Sequence, residues 1–163
     1  MSSQSNASPV LIAAEQPLEA QALESMLSST GYLDLRTTCD VREVVPLYAK
    51  WPYEILVLDM GLGQGMDRSM DPHCVLDVMA SLKPSTQNHH LGILAITNEG
   101  DDRSLERALA CGAADVITRP FTRAEVLMRI TGTLTNVRRA VVHKGGADEA
   151  VMRAAQKRFS AVL

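Results

Sequence analysis

The chain has 163 residues, of which 46% are hydrophobic and 21% charged. This composition is typical of one globular domain with a buried core and excludes a disordered chain. A net charge of -3 gives no electrostatic reason to expect that this chain alone binds nucleic acid. No apolar stretch reaches the length of a membrane span, and residues 1–8 lack the apolar centre of a signal peptide. We therefore predict a disordered tail at 1–8, no membrane contact, and, from three widely spaced cysteines, reduced thiols in the cytoplasm.

The first elements in chain order are a strand, a helix and a second strand. The apolar run Val10–Ala14 predicts a strand, and Pro17–Thr30 predicts a helix because Pro17 suits a first turn and Gly31 would end it. We expect the apolar stripe of this helix to consist of Leu18, Ala22, Met26 and Leu27. Leu33–Thr38 alternates apolar and polar residues, which predicts an edge strand with one buried face.

The next two elements are a helix and a strand that ends at Asp59, the most informative residue of the chain. Asp40 followed by Glu43 predicts a helix start with a capping box, and the helix should reach about Trp51. Pro46 lies inside it, so we expect a short or kinked helix. Tyr53–Asp59 predicts a strand whose Ile/Leu/Val run is buried on both faces of a parallel sheet.

The segment Met60–Asp71 contains three glycines and predicts a mobile loop. The glycine spacing is not the dinucleotide-binding fingerprint, and no Gly-Lys-Ser/Thr follows, so a nucleotide site is not expected. The remaining predicted elements are a helix from Asp71-Pro72 through Leu82, a strand over Leu91–Thr97, a helix from Asp101 to Cys111-Gly112, a strand over Ala114–Thr118 and a helix from Thr122 to about Val137. Alternating strands and helices predict a doubly wound α/β domain with a five-stranded parallel sheet.

Polar side chains stand at the ends of four of these strands. Asp59 closes the third strand, at the sheet edge where open α/β folds place their ligand sites. Alone it could simply begin a turn, but Glu15, Thr97 and Arg119 occupy comparable positions. We expect Glu15 and Asp59 to be neighbours in one acidic pocket, with Thr97 and Arg119 on its rim.

Four segments resemble the receiver domains of bacterial two-component response regulators, in order and in spacing. They are Leu11–Pro17, Pro52–Met60, Leu94–Thr97 and Ala110–Phe121. The resemblance implies the flavodoxin-like strand order 2-1-3-4-5, a receiver domain over residues 9–140 and a helical extension or linker over 141–163. That extension could pack on the domain, pair with a second copy or begin a linker to an output domain.

The resemblance also implies a chemistry. Asp59 stands where receivers accept a phosphoryl group from a histidine kinase or phosphotransfer protein, and Glu15, Asp59 and the backbone carbonyl of Gly61 stand where they bind Mg²⁺. Thr97 corresponds to the hydroxyl residue that binds the phosphoryl oxygen. Arg119 corresponds to a lysine that neutralises its charge, and receivers commonly hold the following X–Pro bond cis. This would be self-catalysed phosphotransfer, not the work of a turnover enzyme.

Several departures mark the receiver as atypical. Ala14 replaces the first of two acids, Arg119 replaces a compact ammonium with a planar fork, and Val116 replaces a common aromatic. The loop after Asp59 is also about five residues longer than usual. Asp67 and Asp71 are expected to be a solvated loop charge and a helix cap, not a replacement for the missing acid. His73-Cys74 and His89-His90 lack metal-ligand spacing.

Two functions from different classes remain open. The first is a receiver phosphorylated on Asp59 that signals to a downstream protein partner, either as a single chain or as a homodimer. The second is a pseudo-receiver that acts as a protein-interaction or localisation module without phosphorylation. The acceptor Asp59 with Glu15 and Thr97 supports the first, and Ala14 with Arg119 and Val116 supports the second.

Overall fold

A five-stranded parallel sheet with the order β2-β1-β3-β4-β5 forms the centre of the molecule. The structure is a computed structural model, and it describes residues 8–64, 74–87 and 91–140. The strands are β1 (Val10–Ala13), β2 (Leu35–Thr38), β3 (Ile55–Asp59), β4 (Gly92–Asn98) and β5 (Asp115–Arg119). The predicted fold class and strand order are therefore confirmed.

Helices follow the strands in alternation and cover both faces of the sheet. They are α1 (Pro17–Ser28), α2 (Val41–Lys50), α3 (Cys74–Gln87), α4 (Asp102–Ala110) and a fifth helix, α5, over residues 123–140. Every residue of β1 and of β3 is buried, because a strand in the middle of such a sheet has helices above and below it.

Successive side chains of these strands point to opposite faces and supply two separate cores. On one face, alternate strand residues such as Leu11, Leu56 and Ile93 pack with buried residues of α2, α3 and α4. On the other, residues such as Ile12, Val57 and Ile96 pack with α1 and α5. The sheet is thus fixed from both sides, and the ends of its strands form a rigid edge.

Helix α1 buries a stripe that matches the predicted one only in part: Leu27 is buried as expected and Met26 packs against the core. Its buried residues are Ala20, Leu23 and Leu27, whereas Leu18 is 80% exposed and Ala22 is also exposed. The predicted residues and the buried residues both have helical spacing. The direction in which the chain leaves β1 decides which face of α1 is turned toward the sheet. The sequence pattern alone does not contain that direction.

Helix α2 continues through Pro46 as one ten-residue element, so the expected shortening is not found. Asp40 is its N-cap and accepts the N–H of Arg42 at 2.9 Å. The second half of the predicted capping box is absent, because the Glu43 carboxylate accepts the Thr38 hydroxyl instead. That hydroxyl oxygen in turn accepts the N–H of Asp40.

The remaining boundaries differ from prediction by a few residues. Asp101 caps α4 through the N–H of Ser104, as predicted. Helix α3 extends past the predicted Leu82 to Gln87. Strand β2 begins at Leu35, because Leu33 is 75% exposed.

The first described residue is the last of the predicted N-terminal tail, and the last described residue adjoins the predicted C-terminal extension. Ser8 is buried, and its hydroxyl accepts a hydrogen bond from Arg138 of α5. The predicted extension over 141–163 lies outside the described residues, as do Asp67, Asp71, His73, His89 and His90. Among the described residues, no helix is both long and apolar enough to cross a membrane.

Candidate functional site

The candidate site lies at the carboxyl ends of β1 and β3, the point where the strand order reverses. Ala13 pairs with Leu58 in the parallel register, which brings Glu15 beside Asp59. Asp59 is only 2% exposed. Its Oδ2 accepts the N–H of Glu15 at 3.1 Å, and its Oδ1 accepts the N–H of Gly61 at 2.9 Å. Two backbone donors therefore fix the orientation of this carboxylate.

The start of the loop after β3 is packed, and it positions Glu15. Met60 and Leu62 are buried in the core. Residues 65–71 lie outside the described residues, so the mobility expected of the whole loop stays a prediction. Gly63 has a left-handed backbone with φ +86°, which favours glycine. Its N–H donates to Glu15 Oε2 at 3.0 Å. The Glu15 carboxylate is thereby held beside Asp59.

Arg119, the last residue of β5, supplies the cation of the site. Its Nη2 lies 2.8 Å from Asp59 Oδ2. The same nitrogen and Nε donate to the two carboxylate oxygens of Glu19, at 2.5 and 2.8 Å, and Nη1 donates to Asn98 Oδ1 at 3.1 Å. The Arg119–Pro120 peptide bond is cis, as predicted.

These contacts stabilise the charged guanidinium. The hydrogen bonds to Glu19, with smaller contributions from Asp59, raise the pKa of Arg119 above its usual value despite the opposing effect of burial. Since arginine is already protonated at every physiological pH, the site keeps a permanent positive charge next to Asp59.

Thr97 lies near the end of β4 and is 3% exposed. Its register partner is Thr118 of β5, while the preceding residue, Ile96, pairs with Asp59. The Thr97 hydroxyl has no hydrogen-bond partner among the described residues. The register therefore places Thr97 at the same edge of the sheet as Asp59.

The structure brings together Asp59, Glu15, Gly61 and Arg119 as the sequence predicts, and it adds two residues. Glu19 and Asn98 both hold Arg119. Asn98 could have been found, because it follows Thr97 and is the register partner of Arg119. No sequence signal links Glu19 with a residue 100 positions away.

The oxygen atoms around Asp59 are chemically suited to a hard cation such as Mg²⁺. Glu15 uses one carboxylate oxygen for Gly63, and its other oxygen has no partner among the described residues. The Gly61 carbonyl accepts the N–H of Gln64 at 3.2 Å and retains a second lone pair. No group of three or more His, Cys, Asp or Glu residues with metal-site geometry occurs in the described part of the chain. With two carboxylates and one carbonyl, a bound Mg²⁺ would keep several waters.

Comparison with known proteins agrees with this geometry. The family model of the response regulator receiver domain matches residues 10–131. The chain belongs to the receiver domain family. The matched residues include the whole sheet and every described residue of the site.

Several relatives show the same relationship. The chain is 31% identical over 121 residues to the cell cycle transcriptional regulator CtrA of Caulobacter vibrioides, a match that covers 74% of this chain and 48% of CtrA. The chain thus spans about half the length of the curated relatives it matches. Among solved structures, a putative response regulator from Chloroflexus aurantiacus superimposes with a TM-score of 0.66 at 24% identity, covering 80% of this chain and 99% of that chain. NtrX from Brucella abortus gives a TM-score of 0.71 at 20% identity, and the match covers 87% of this chain and 29% of the NtrX chain. These structural matches show a shared fold.

Proposed function

We propose that this receiver domain accepts a phosphoryl group from the phosphohistidine of a histidine kinase or phosphotransfer protein onto Asp59. The observation that carries the proposal is the Asp59 carboxylate itself, oriented by the N–H groups of Glu15 and Gly61 and 2.8 Å from the Arg119 guanidinium. A fixed carboxylate beside a fixed cation is what in-line transfer of an anionic group needs.

In the proposed reaction a carboxylate oxygen of Asp59 attacks the phosphorus of the donor. The new O–P bond forms as the donor's P–N bond breaks, and the electron pair leaves with the imidazole nitrogen, which takes up a proton. Arg119 stabilises the negative charge of the transferred phosphoryl oxygens. Thr97, which is buried near the end of the neighbouring strand β4, donates a hydrogen bond to one of them.

Glu15, Asp59 and the Gly61 carbonyl are the residues that would hold Mg²⁺. When bound, the ion would supply charge that reduces the repulsion between a carboxylate and a phosphoryl group. Receivers carry two acids after the first strand, and here Ala14 takes the place of one of them. Arg119 also contacts Asp59 already, so we expect Mg²⁺ to bind weakly.

The proposal also bears on domain organisation and partners. It assigns residues 9–140 to the receiver domain and 141–163 to an extension or linker toward a downstream protein. The cytoplasm is the compartment that suits such a protein, and Cys39 and Cys111 are free thiols in the structure.

The test is to incubate the protein with acetyl phosphate and measure its intact mass. We expect a gain of one phosphoryl group that requires Mg²⁺, does not form when EDTA is present from the start, and is absent in Asp59→Asn, which keeps the side-chain shape but removes the nucleophile. An equal gain in Asp59→Asn would contradict the proposal.

A second function, the pseudo-receiver, is favoured by the ion pair between Arg119 and Asp59. Under this hypothesis the Arg119 guanidinium permanently neutralises the charge of Asp59, and the domain works only through protein contacts. The discriminating variant is Arg119→Lys combined with Ala14→Asp. If the wild type gains no mass from acetyl phosphate or phosphoramidate and the double variant does, the pseudo-receiver function is supported.

A further inference from the structure

Glu19 makes the most extensive contact with the cation of the site. It lies in the first turn of α1, where a carboxylate is favoured by the helix dipole. Its two oxygens accept Nε and Nη2 of Arg119 at 2.8 and 2.5 Å. This is a bidentate pair, in which the planar guanidinium fork matches the carboxylate in direction as well as charge.

Most of the donors of Arg119 are used in contacts within the protein. A guanidinium has five N–H groups. Two donate to Glu19 and one donates to Asn98, and the guanidinium also forms an ion pair with Asp59. Nη2 alone is shared, since it donates to Glu19 and also lies 2.8 Å from Asp59 Oδ2. The position of the atom that contacts Asp59 is therefore set by Glu19.

We propose that Glu19 is a positioning residue for phosphoryl transfer, which holds the Arg119 guanidinium in the orientation that contacts Asp59 and the incoming phosphoryl group. The inference rests on the proposed function and names the residue that makes an arginine workable in place of the lysine. A long arginine side chain has many rotamers, and a bidentate partner selects one of them. A lysine presents a point charge and gains little from a fork-shaped partner.

An ordinary structural ion pair between α1 and β5 is the competing explanation. The side chains of Glu19 and Arg119 are 20% and 25% exposed, and a pair of that kind would stabilise the fold without affecting phosphorylation. The two explanations differ in what happens to the rate when folding is intact.

The experiment compares Glu19→Gln with Glu24→Gln, both in the full chain. Glu24 is a matched control on the same helix, with no described contact to the site. The first readout is the Nε–H signal of Arg119 in a nitrogen–proton NMR spectrum. We expect Glu19→Gln to shift this signal and to speed its exchange with water by about tenfold, because its charge-assisted acceptor is lost; Glu24→Gln should leave it unchanged.

The second readout is the initial rate of Asp59 phosphorylation against acetyl phosphate concentration. We expect Glu19→Gln to lower the maximal rate about tenfold with little change in KM. In an Arg119→Lys background, Glu19→Gln should alter the maximal rate by less than about twofold. Thermal unfolding curves show which part of any loss is due to unfolding.

Each result decides the inference. A shifted Arg119 signal with an unchanged rate means that Glu19 is only a structural partner, which overturns the proposal, and so does an unshifted signal. An equal loss of rate in the Arg119→Lys background also overturns it. If the wild type is never phosphorylated while the signal shifts, the proposed function fails, and with it the role of Glu19 in transfer; the contact alone then stands.

Discussion

The two halves of the site around Asp59 are built in different ways. In the acidic half, backbone N–H groups of Glu15, Gly61 and Gly63 orient the Asp59 and Glu15 carboxylates. In the cationic half, side chains from α1 and the end of β4 orient Arg119. Backbone donors are placed by the fold and survive most substitutions, whereas side-chain partners are lost with a single one. The acidic half should therefore be robust to substitution and the cationic half sensitive to it.

The largest effect is expected from Arg119→Ala. It leaves the Asp59 side chain, which is 3% exposed, without its cation, and we expect a loss of about 2 kcal/mol in the free energy of unfolding. Urea denaturation measures it. Arg103→Ala, at an exposed position of α4 with no described site contact, is the control and should stay within about 0.5 kcal/mol. Equal stabilities would show that the cationic half contributes nothing to folding.

A smaller effect is expected from Glu15→Gln. The substitution removes one of two site carboxylates, so Mg²⁺ affinity should fall about tenfold in isothermal titration. The free energy of unfolding should change by less than about 0.5 kcal/mol, because an amide oxygen still accepts the N–H of Gly63. Unchanged Mg²⁺ affinity would remove Glu15 from the proposed metal site.

The smallest effect is a difference between two glycine substitutions. Gly63 and Gly100 have similar backbones, with φ +86° and +81°, but a Cβ on Gly63 would lie 3.1 Å from Val41 Cγ1, whereas one on Gly100 meets nothing within 4 Å. Both alanine variants carry the left-handed strain. Gly63→Ala should cost about 1 kcal/mol more in urea denaturation, since it also displaces the N–H that holds Glu15. Equal costs would mean that the loop yields freely and does not fix the acidic half.

The same contrast explains what the sequence could predict. The five alternating strands and the polar residues at their ends follow from apolar runs in the sequence. The strand order that brings Glu15 beside Asp59 follows from the resemblance to receiver domains. The partnership of Glu19 with Arg119 joins residues 100 positions apart and depends on the rotation of α1. The prediction that Leu18 lies on the buried face of α1 is wrong for the same reason, because the sequence pattern does not contain that rotation. Neither is encoded in local periodicity, because two faces of α1 have equivalent spacing.

The most direct test of the central claim is to locate the phosphoryl group. After treatment with acetyl phosphate and Mg²⁺, borohydride reduction converts an aspartyl phosphate into homoserine, and peptide mass spectrometry then identifies the modified residue. We expect homoserine at position 59, formed only when Mg²⁺ is present. Modification at another carboxylate such as Asp101, with residue 59 intact, would contradict it.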